Sequence, residues 1–400
     1  MKNSKNCHSC GYQIPEGFHF GYTSVAHNLK SELEAEDIRC PINLAMCRNC
    51  GLVQLTDSPP PETFYSNYRV LSSWKKEPHM ADSLDRLLLH LKGGKESKIL
   101  EIGCNDGGFL DLLKASGYYK VWGVEPAHDA FLVSQNKGHS VKNVYFNQTA
   151  AAQILTEIGQ VDAIIVRQVL EHIIDLNGFL SAMRSIAKPG CAFLIDVPDS
   201  ASSMQWLDYS ALWEEHVNYF TRDSLYSTLN RHGFSVCDNK CYAFSGVALS
   251  VTGVLSEVSN EYSDIGDDEY LFKNYIDSFG KIKEDLHAWI LDALKTHKLL
   301  LYGAGNRSNT FIQLMQIKNF LSACFDDQMS KIGCFLPGTQ LEIKSSHILV
   351  NHAPSVCLLG VNSENETHIL SKHASYLEIG GVFLSIHPPS NMLIPPLRST

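Results

Sequence analysis

Four cysteines in two close pairs form the most distinctive chemical pattern of this 400-residue chain. Cys7 and Cys10 make one C-x-x-C motif, and Cys47 and Cys50 make a second one. Zinc prefers four thiolates at about 2.3 Å in a tetrahedron, and each motif supplies two of them from one tight turn. The spacing therefore predicts a structural zinc site. A site closed by four protein ligands has no open position for chemistry, so it predicts a folded module and no reaction.

A glycine-rich turn is the second chemical pattern. The segment Glu-Ile-Gly-Cys-Asn-Asp-Gly at 101–107 follows a predicted strand, and glycines there let the backbone approach a ligand closely. Glu125 ends the next predicted strand, where an acid can accept hydrogen bonds from ribose hydroxyls. Together they predict an adenosine-containing cofactor. The predicted cofactor-binding residues are Glu101, Gly103, Asn105, Asp106, Gly107, Glu125 and Gln168.

The details of this turn favour one cofactor over another. NAD is an alternative, but its fingerprint is G-x-G-x-x-G, and residue 105 is Asn. S-adenosylmethionine has no pyrophosphate and needs less room, with its amino-acid end near the turn and its ribose on Glu125. Glu171-His172 after a later strand and Lys188-Pro189-Gly190 before the next complete an order that resembles class I methyltransferases.

A histidine among acids and aromatic residues is the candidate base. The segment 213–220 has the sequence Trp-Glu-Glu-His-Val-Asn-Tyr-Phe and follows a predicted strand, at whose carboxyl end α/β active sites collect. His216 can be a base whose imidazole is oriented by a carboxylate, or a structural histidine with an acidic partner. The same two interpretations apply to His172.

The elements that must position these residues follow from hydrophobic patterning. An alternation of strands and helices predicts a doubly wound parallel sheet in the centre of the chain. A fresh buried strand at 298–302, entering Gly303-Ala304-Gly305 and a helix near Asn309, predicts a second, smaller α/β domain. The fold class is thus α/β, with two Rossmann-like domains after the zinc module. The predicted domains are a zinc-binding module at 1–75, a central domain at 76–260 and a C-terminal substrate-binding domain at 261–400.

Bulk properties exclude several kinds of partner. The formal net charge is -10, and residues 1–60 hold five Lys or Arg against six Asp or Glu, which argues against nucleic-acid binding. No apolar run is long enough to span a bilayer, and the first thirty residues have no signal core. We therefore expect no membrane partner and a cytoplasmic location, where reduced thiols persist. Oligomeric state is not predicted.

The whole pattern resembles the sugar C-methyltransferases that act on nucleotide-linked 4-keto deoxysugars. The resemblance rests on the zinc module, the 101–107 turn, the Glu-His pair at 215–216, and C-terminal motifs that include Tyr302 to Asn306 and Leu336 to Thr339. It implies S-adenosylmethionine as methyl donor and a nucleotide-linked ketosugar as substrate, held with help from the zinc module and the C-terminal domain. It assigns the following catalytic residues: His216 as general base, Glu215 as its neighbour, His172 in the pocket, and Tyr65 or Tyr68 facing the substrate.

Two departures from the family pattern stand out. The family commonly has Tyr-His-Glu-His where this chain has Trp213-Glu214-Glu215-His216, and Gly-Gly-Ser-Leu where it has Ser-Gly-Val-Ala-Leu at 245–249. We expect C-methylation beside a ketone, at C-3, through an enolate. The alternatives are O-methylation of a sugar or other small molecule, a zinc-module RNA methyltransferase, and an inactive homologue. The predicted substrate-binding residues are Trp213, Tyr219, Gly303, Gly305, Asn306 and Arg307, the last beside a helix entrance that could bind the diphosphate.

Overall fold

The computed structural model describes residues 5–25, 29–33, 37–58, 77–257 and 265–398. The described residues form three sheets of four, seven and five strands. This arrangement confirms the predicted fold class of a small N-terminal lobe followed by two α/β lobes. Within the described ranges, no helix combines the length and the apolarity that a membrane crossing requires.

The N-terminal sheet is antiparallel and borrows a strand from the centre of the chain. Its own strands are β1 (Phe18–Ser24), β2 (Arg39–Met46) and β3 (Val53–Leu55). The fourth strand, β9 (Asn218–Tyr219), pairs with β3. Because β9 directly follows the segment that carries His216, the zinc lobe and the candidate base are tied to the same backbone ladder.

The central sheet has the strand order β10-β11-β8-β7-β4-β5-β6. Its strands are β4 (Ile99–Ile102), β5 (Val121–Val124), β6 (Ser140–Lys142), β7 (Val161–Arg167), β8 (Ala187–Pro198), β10 (Phe234–Ala243) and β11 (Val247–Leu255). Its helices are α1 (Met80–Leu88), α2 (Gly108–Ala115), α3 (His128–Asn136), α4 (Gln148–Ile158), α5 (Leu176–Ile186), α6 (Ser200–Gln205) and α7 (Arg222–Arg231).

The expectation of a wholly parallel central sheet is correct for six strands and wrong for one, β11, since β10 runs in the same direction as β8. Strands β4 to β8 are parallel, whereas β11 runs antiparallel to both β8 and β10. The connection between β10 and β11 is only three residues long. Such a short turn can join only antiparallel strands, because parallel strands need a much longer crossover. The hairpin that results closes one edge of the sheet.

One face of the central sheet changes from apolar to charged along its strands. Ile99, Ile165 and Leu194 belong to the apolar cluster that α1 and α2 cover. Side chains two positions further along each strand lie on the same face. Those positions are Glu101, Arg167 and Asp196, all buried, and they lie at the carboxyl edge of the sheet, where α/β proteins bind ligands.

The C-terminal sheet is parallel, with the order β14-β13-β12-β15-β16. Its strands are β12 (Lys298–Tyr302), β13 (Leu321–Asp326), β14 (Ile343–Ser345), β15 (Ser355–Leu359) and β16 (Val382–Ser385). Its helices are α8 (Gly266–Ala293), α9 (Asn306–Leu314), α10 (Glu366–Lys372) and α11 (Ala374–Glu378). The strand order reverses between β12 and β15, which makes the loops after these strands the expected ligand edge of this lobe.

One apolar core joins the outer lobes. Phe20 of β1, Tyr275 and Phe279 of α8, and Phe311 of α9 belong to a single buried cluster with Tyr209. The Tyr209 hydroxyl donates to the Tyr275 carbonyl at 2.8 Å. The predicted domain boundaries stay a prediction, and the packing between the lobes is continuous.

Candidate active site and zinc centre

The four predicted zinc ligands come together. The Sγ atoms of Cys7, Cys10, Cys47 and Cys50 all lie within 4.8 Å of one another. The pairs Cys7–Cys50 and Cys10–Cys47 are each 3.5 Å apart. A tetrahedron with Zn–S bonds of about 2.3 Å has S–S edges of about 3.8 Å, whereas a disulfide requires about 2.05 Å. The cluster therefore fits a zinc ion bound by four thiolates.

Glycine shapes both C-x-x-C turns. Gly11 and Gly51 have φ of +72° and +74°, in the left-handed region. Their N–H groups donate to the carbonyls of Cys7 and Cys47 at 3.0 and 2.9 Å, which closes each turn. A Cβ on Gly11 would meet nothing within 4 Å. Glycine is therefore required at this position for its backbone conformation and not for space.

Asn218 links the zinc lobe to the candidate catalytic turn. Its Oδ1 lies 2.9 Å from Nδ1 of His8, inside the first C-x-x-C motif. Its Nδ2 donates to the carbonyls of Leu170 and Ile173 at 3.0 and 2.7 Å. These carbonyls flank the 3₁₀ turn Leu170–His172. A single buried amide thus holds together the zinc lobe, β9 and the turn that carries His172.

The glycine-rich turn between β4 and α2 has the form predicted for a cofactor cradle. Gly103, Asn105 and Gly107 all have positive φ, at +75°, +49° and +80°. The backbone N–H of Asn105 donates to Glu125 at 2.9 Å, and that of Ala127 donates to the other oxygen of Glu125 at 2.7 Å. Burial raises the pKa of Glu125 to about 7. The turn and the acid are therefore one hydrogen-bonded unit.

The cradle has polar groups available for a ligand. The Oδ1 atom of Asn105 is buried and has no hydrogen-bond partner within the described ranges. Buried polar atoms are nearly always paired, so an orphaned one at a cofactor turn is consistent with a missing ligand. Gln168, also at positive φ (+53°), follows β7 at the same edge. These residues fit the adenosine and amino-acid ends of S-adenosylmethionine.

Two predicted cofactor residues have protein partners. Glu101 accepts hydrogen bonds from Nε and Nη2 of Arg167 at 3.1 and 2.9 Å, beneath the turn. Asp106 accepts from the Gly108 N–H at 3.1 Å and from Lys137 Nζ at 2.9 Å. Their direct contact with a cofactor stays a prediction, and these contacts give both residues a part in shaping the turn.

His172 and His216 lie side by side at the carboxyl edge of the central sheet. Their ring centroids are 4.9 Å apart, with an interplanar angle of 79°. The Nδ1 atom of His172 donates to the backbone carbonyl of Glu215 at 3.0 Å, so neutral His172 presents the Nε2 lone pair. Burial lowers the pKa of both imidazoles, and His172 lowers that of His216 further. Both rings are therefore neutral near pH 7, which is the form a base requires.

Glu171 is the carboxylate that the structure brings to this histidine pair. One of its oxygens, one imidazole nitrogen of His172 and one of His216 lie within 4.8 Å of one another. The distance from Oε1 to His172 Nε2 is 4.0 Å. Glu171 is 1% exposed, and burial raises its pKa to about 8. Sequence reasoning named Glu171 only as the neighbour of His172, because no local pattern shows that the 170–172 turn meets residue 216.

Glu215 is also buried. Its negative charge opposes part of the lowering of the His172 pKa by burial. The prediction that Glu215 orients His216 stays a prediction. Trp213 packs against His216 with ring centroids 4.5 Å apart. The Tyr219 hydroxyl accepts from the Trp213 N–H at 2.9 Å and donates to the Trp213 carbonyl at 3.1 Å. Tyr219 therefore closes the loop that carries His216. Tyr65 and Tyr68 lie outside the described residues.

In the C-terminal lobe the predicted turn lies between β12 and α9. Gly303 has φ of +100°, and a Cβ there would lie 2.6 Å from the Gly360 carbonyl oxygen. Gly305 caps α9, and Asn306 is its first residue, three positions before the predicted start. The helix begins earlier than expected because the backbone turns directly after Gly305.

Arg307 connects the C-terminal lobe to the central lobe. Its Nη2 lies 2.5 Å from Asp208 Oδ2, its Nε donates to Ser210 Oγ at 3.1 Å, and its Nη1 donates to Asn362 Oδ1 at 2.8 Å. A guanidinium held by three partners is an interlobe tie. Diphosphate binding by Arg307 stays a prediction, and these partners compete with it.

The fold, the glycine-rich turn with its acid and the neutral histidine pair define the class: an S-adenosylmethionine-dependent methyltransferase. Three family models match successive segments of the chain. They are described as "Putative zinc binding domain" (residues 7–65), "Methyltransferase domain" (74–239) and "C-methyltransferase C-terminal domain" (249–388). Together the three models identify the chain as a C-methyltransferase with a zinc-binding domain.

Two named proteins are similar to different portions of this chain. C-methyltransferase NovU from Streptomyces niveus is 23% identical over 397 residues, which cover 94% of both chains. The ubiquinone biosynthesis O-methyltransferase of Roseobacter denitrificans is 27% identical over 184 residues, covering 43% of this chain and 73% of that protein. The NovU match includes the outer lobes, whereas the Roseobacter denitrificans match covers less than half of this chain.

Among solved structures, the 1,6-didemethyltoxoflavin-N1-methyltransferase of Burkholderia thailandensis is 16% identical, with a TM-score of 0.38. The match covers 53% of this chain and 98% of that one. The magnesium protoporphyrin IX methyltransferase of Synechocystis with bound S-adenosylmethionine is 13% identical, with a TM-score of 0.35, over 49% and 94% of the two chains.

Proposed function

We propose that this enzyme methylates C-3, beside the ketone of a nucleotide-linked 4-keto-6-deoxysugar, through an enolate, and makes a branched-chain sugar. The observation that supports it most is the neutral histidine pair His172–His216 at the carboxyl edge of the central sheet. A C–H bond next to a carbonyl is acidic because the resulting anion delocalises onto oxygen. An acceptor carbon of this kind must lose its proton to a neutral base before it can attack the methyl group. An acceptor hydroxyl oxygen is already nucleophilic and depends less on a base.

His216 is the proposed base. Its lowered pKa keeps it unprotonated at neutral pH, and a positioned base contributes roughly 10²–10⁴-fold to the rate. The packing of Trp213 on its ring restricts the imidazole and keeps water away from one side. When bound, S-adenosylmethionine supplies an electrophilic methyl group on a sulfonium. The protein's part is to remove the proton and hold the acceptor carbon in line.

Stabilisation of the enolate oxygen falls to His172 with Glu171. Nδ1 of His172 already donates to the Glu215 carbonyl, so a hydrogen bond to an enolate must come from a proton on Nε2. Glu171, with a pKa raised to about 8, holds a proton near pH 7 and lies 4.0 Å from that nitrogen. We propose Glu171 as the proton source that lets His172 donate to the developing negative charge. A tyrosine at 65 or 68 is an alternative donor.

The substrate diphosphate is assigned to the C-terminal lobe. The start of α9, at Gly305 and Asn306, offers backbone N–H groups and the positive end of a helix dipole. This end lies at the ligand edge of the lobe, and Arg307 holds it against Asp208 of the central lobe. In this proposal Arg307 positions the phosphate-binding turn through its interlobe ion pair.

O-methylation is the second candidate, since the similarity to ubiquinone biosynthesis O-methyltransferases covers the central lobe. One experiment separates the two. The enzyme is incubated with methyl-labelled S-adenosylmethionine and a panel of 4-keto sugar nucleotides, and products are analysed by mass spectrometry and NMR. We expect a methyl group on carbon that survives acid hydrolysis as a branched sugar. A methyl ether, or no transfer to any ketosugar, would overturn the proposal.

A further inference from the structure

Another cluster of potential metal-ligating side chains lies at the carboxyl edge of the central sheet. Glu77 and His79 immediately precede α1, and Asp196 lies near the carboxyl end of β8. One ligand atom from each lies within 4.8 Å of the other two. The three residues are 1%, 6% and 0% exposed. Sequence spacing could not reveal this group, because Asp196 lies more than one hundred residues after Glu77 and His79.

These side chains have polar atoms without partners. Glu77 Oε1, both ring nitrogens of His79 and both oxygens of Asp196 are buried and make no hydrogen bond to any residue that the structure describes. The His79 Nε2 and Asp196 Oδ2 atoms approach to 3.5 Å without completing one. Since buried polar atoms are paired in about 90% of cases or more, such a group around one point indicates that something binds there.

The charges around the cluster favour a cation. Three buried carboxylates, those of Glu77, Glu101 and Asp196, interact with the buried guanidinium of Arg167. Arg167 bonds to Glu101 and to Oε2 of Glu77, whereas Oε1 of Glu77 and both oxygens of Asp196 have no hydrogen-bond donor among the described residues. Buried charges are paired or coordinate metals, because an isolated charge away from water is very costly.

His79 is held in a fixed orientation by aromatic stacking. Its ring stacks on Tyr242 with a centroid distance of 4.3 Å and an interplanar angle of 10°. The Tyr242 hydroxyl is itself held by Asp82, and it accepts from Arg86 Nη1 at 3.3 Å. The ring is therefore in place before any ligand arrives.

We infer that Glu77, His79 and Asp196 form a second metal site, separate from the four-cysteine centre, that binds one divalent cation through one nitrogen and two carboxylate oxygens. This mixed donor set suits Mn²⁺, Fe²⁺ or Zn²⁺ better than Ca²⁺ or Mg²⁺, which prefer oxygen alone. The site is independent of the acceptor that the enzyme methylates.

The test is a metal count on the full-length protein. Purified enzyme is equilibrated with Mn²⁺ or Co²⁺, passed through a desalting column and analysed for all metals, with Mn²⁺ binding also followed by EPR. We expect one zinc plus about one further metal per chain, and the cobalt of the second site should lack the sulfur-to-metal charge-transfer bands of a thiolate site. A wild-type protein that binds no metal beyond the four-cysteine zinc would overturn the inference.

Variants locate the second metal. We expect His79→Gln and Asp196→Asn to keep the zinc and lower Mn²⁺ affinity at least tenfold. His90→Gln, at the other end of α1 and outside the cluster, should keep both metals. Circular dichroism and zinc content show whether each variant is folded. Unchanged Mn²⁺ binding in folded His79→Gln and Asp196→Asn would contradict the assignment, and the wild-type count decides the matter if neither variant folds.

Discussion

The four-cysteine cluster and the histidine pair are both buried polar sites, but they are built in opposite ways. The cysteines come from two short motifs, and their Sγ atoms lie within 4.8 Å of one another. The histidine site collects Glu171, His172 and His216 from two separated segments, with lowered imidazole pKa values and a raised carboxyl pKa. A closed ligand set gives stability, whereas groups kept neutral by burial are able to exchange protons. Asn218 physically connects the two sites.

The largest expected effect is loss of the zinc cluster. Cys47→Ser removes one thiolate from a buried site, and structural zinc binding is typically worth about 10–16 kcal/mol. We expect loss of most bound zinc, a much lower melting temperature and no methyl transfer, measured by metal analysis, thermal unfolding and activity. Cys237→Ser, at an exposed cysteine outside the cluster, is the control. Full zinc and normal stability in Cys47→Ser would break the assignment of a structural metal.

Glu171→Gln tests whether the histidine site depends on a buried acid. We expect kcat to fall about 10²-fold, because an amide cannot deliver a proton to His172, with little change in S-adenosylmethionine binding. The matched variant Glu215→Gln should lose less if Glu171 is the proton source. Steady-state kinetics and calorimetry of cofactor binding give the comparison. A larger loss in Glu215→Gln would return that role to Glu215.

The same residue predicts a pH dependence of stability. The pKa of Glu171 rises from 4.5 in the unfolded chain to about 8 when folded, so the folded state favours the protonated form. The contribution of Glu171 to the free energy of unfolding is complete below about pH 4.5. It is lost as pH rises toward 8, at up to about 1.4 kcal/mol per pH unit. Denaturant unfolding between pH 5 and 8 should show wild type losing stability relative to Glu171→Gln. A constant difference would show that Glu171 titrates normally.

Asn218→Ala tests the connection between the two sites. It removes donors to the carbonyls of Leu170 and Ile173, and an unsatisfied buried group costs about 1–3 kcal/mol. We expect lower stability and reduced kcat with zinc content unchanged, since the cysteines are not altered. If activity stays normal while stability falls, the link is structural only.

The smallest expected effect concerns the zinc turn itself. Gly11→Ala introduces a Cβ into open space, but at φ of +72°. We expect a loss of about 1–2 kcal/mol from the left-handed conformation alone, with zinc retained. Chemical denaturation measures it. An unchanged free energy of unfolding would mean that the turn relaxes to accommodate the alanine.

Local patterns were sufficient for the strands that enter the two glycine turns, for the turns themselves and for the four cysteines, since each is encoded within a few neighbouring residues. They could not predict partners distant in sequence. Arg307 is adjacent to a helix entrance, which suggests phosphate, yet it meets Asp208, 99 positions away. The role of Glu171 likewise appears only when the 170–172 turn meets the loop after β8, and the β10–β11 hairpin reverses a direction that the α/β alternation suggested.

The most direct test of the central claim is hydrogen exchange at the acceptor carbon. A 4-keto sugar nucleotide that serves as substrate is incubated in heavy water with the enzyme and S-adenosylhomocysteine, and deuterium at C-3 is followed by NMR. We predict exchange with wild type and with His232→Ala, a histidine outside the site. His216→Ala should lose exchange by at least 10²-fold while still binding S-adenosylmethionine. Undiminished exchange in His216→Ala would contradict the account.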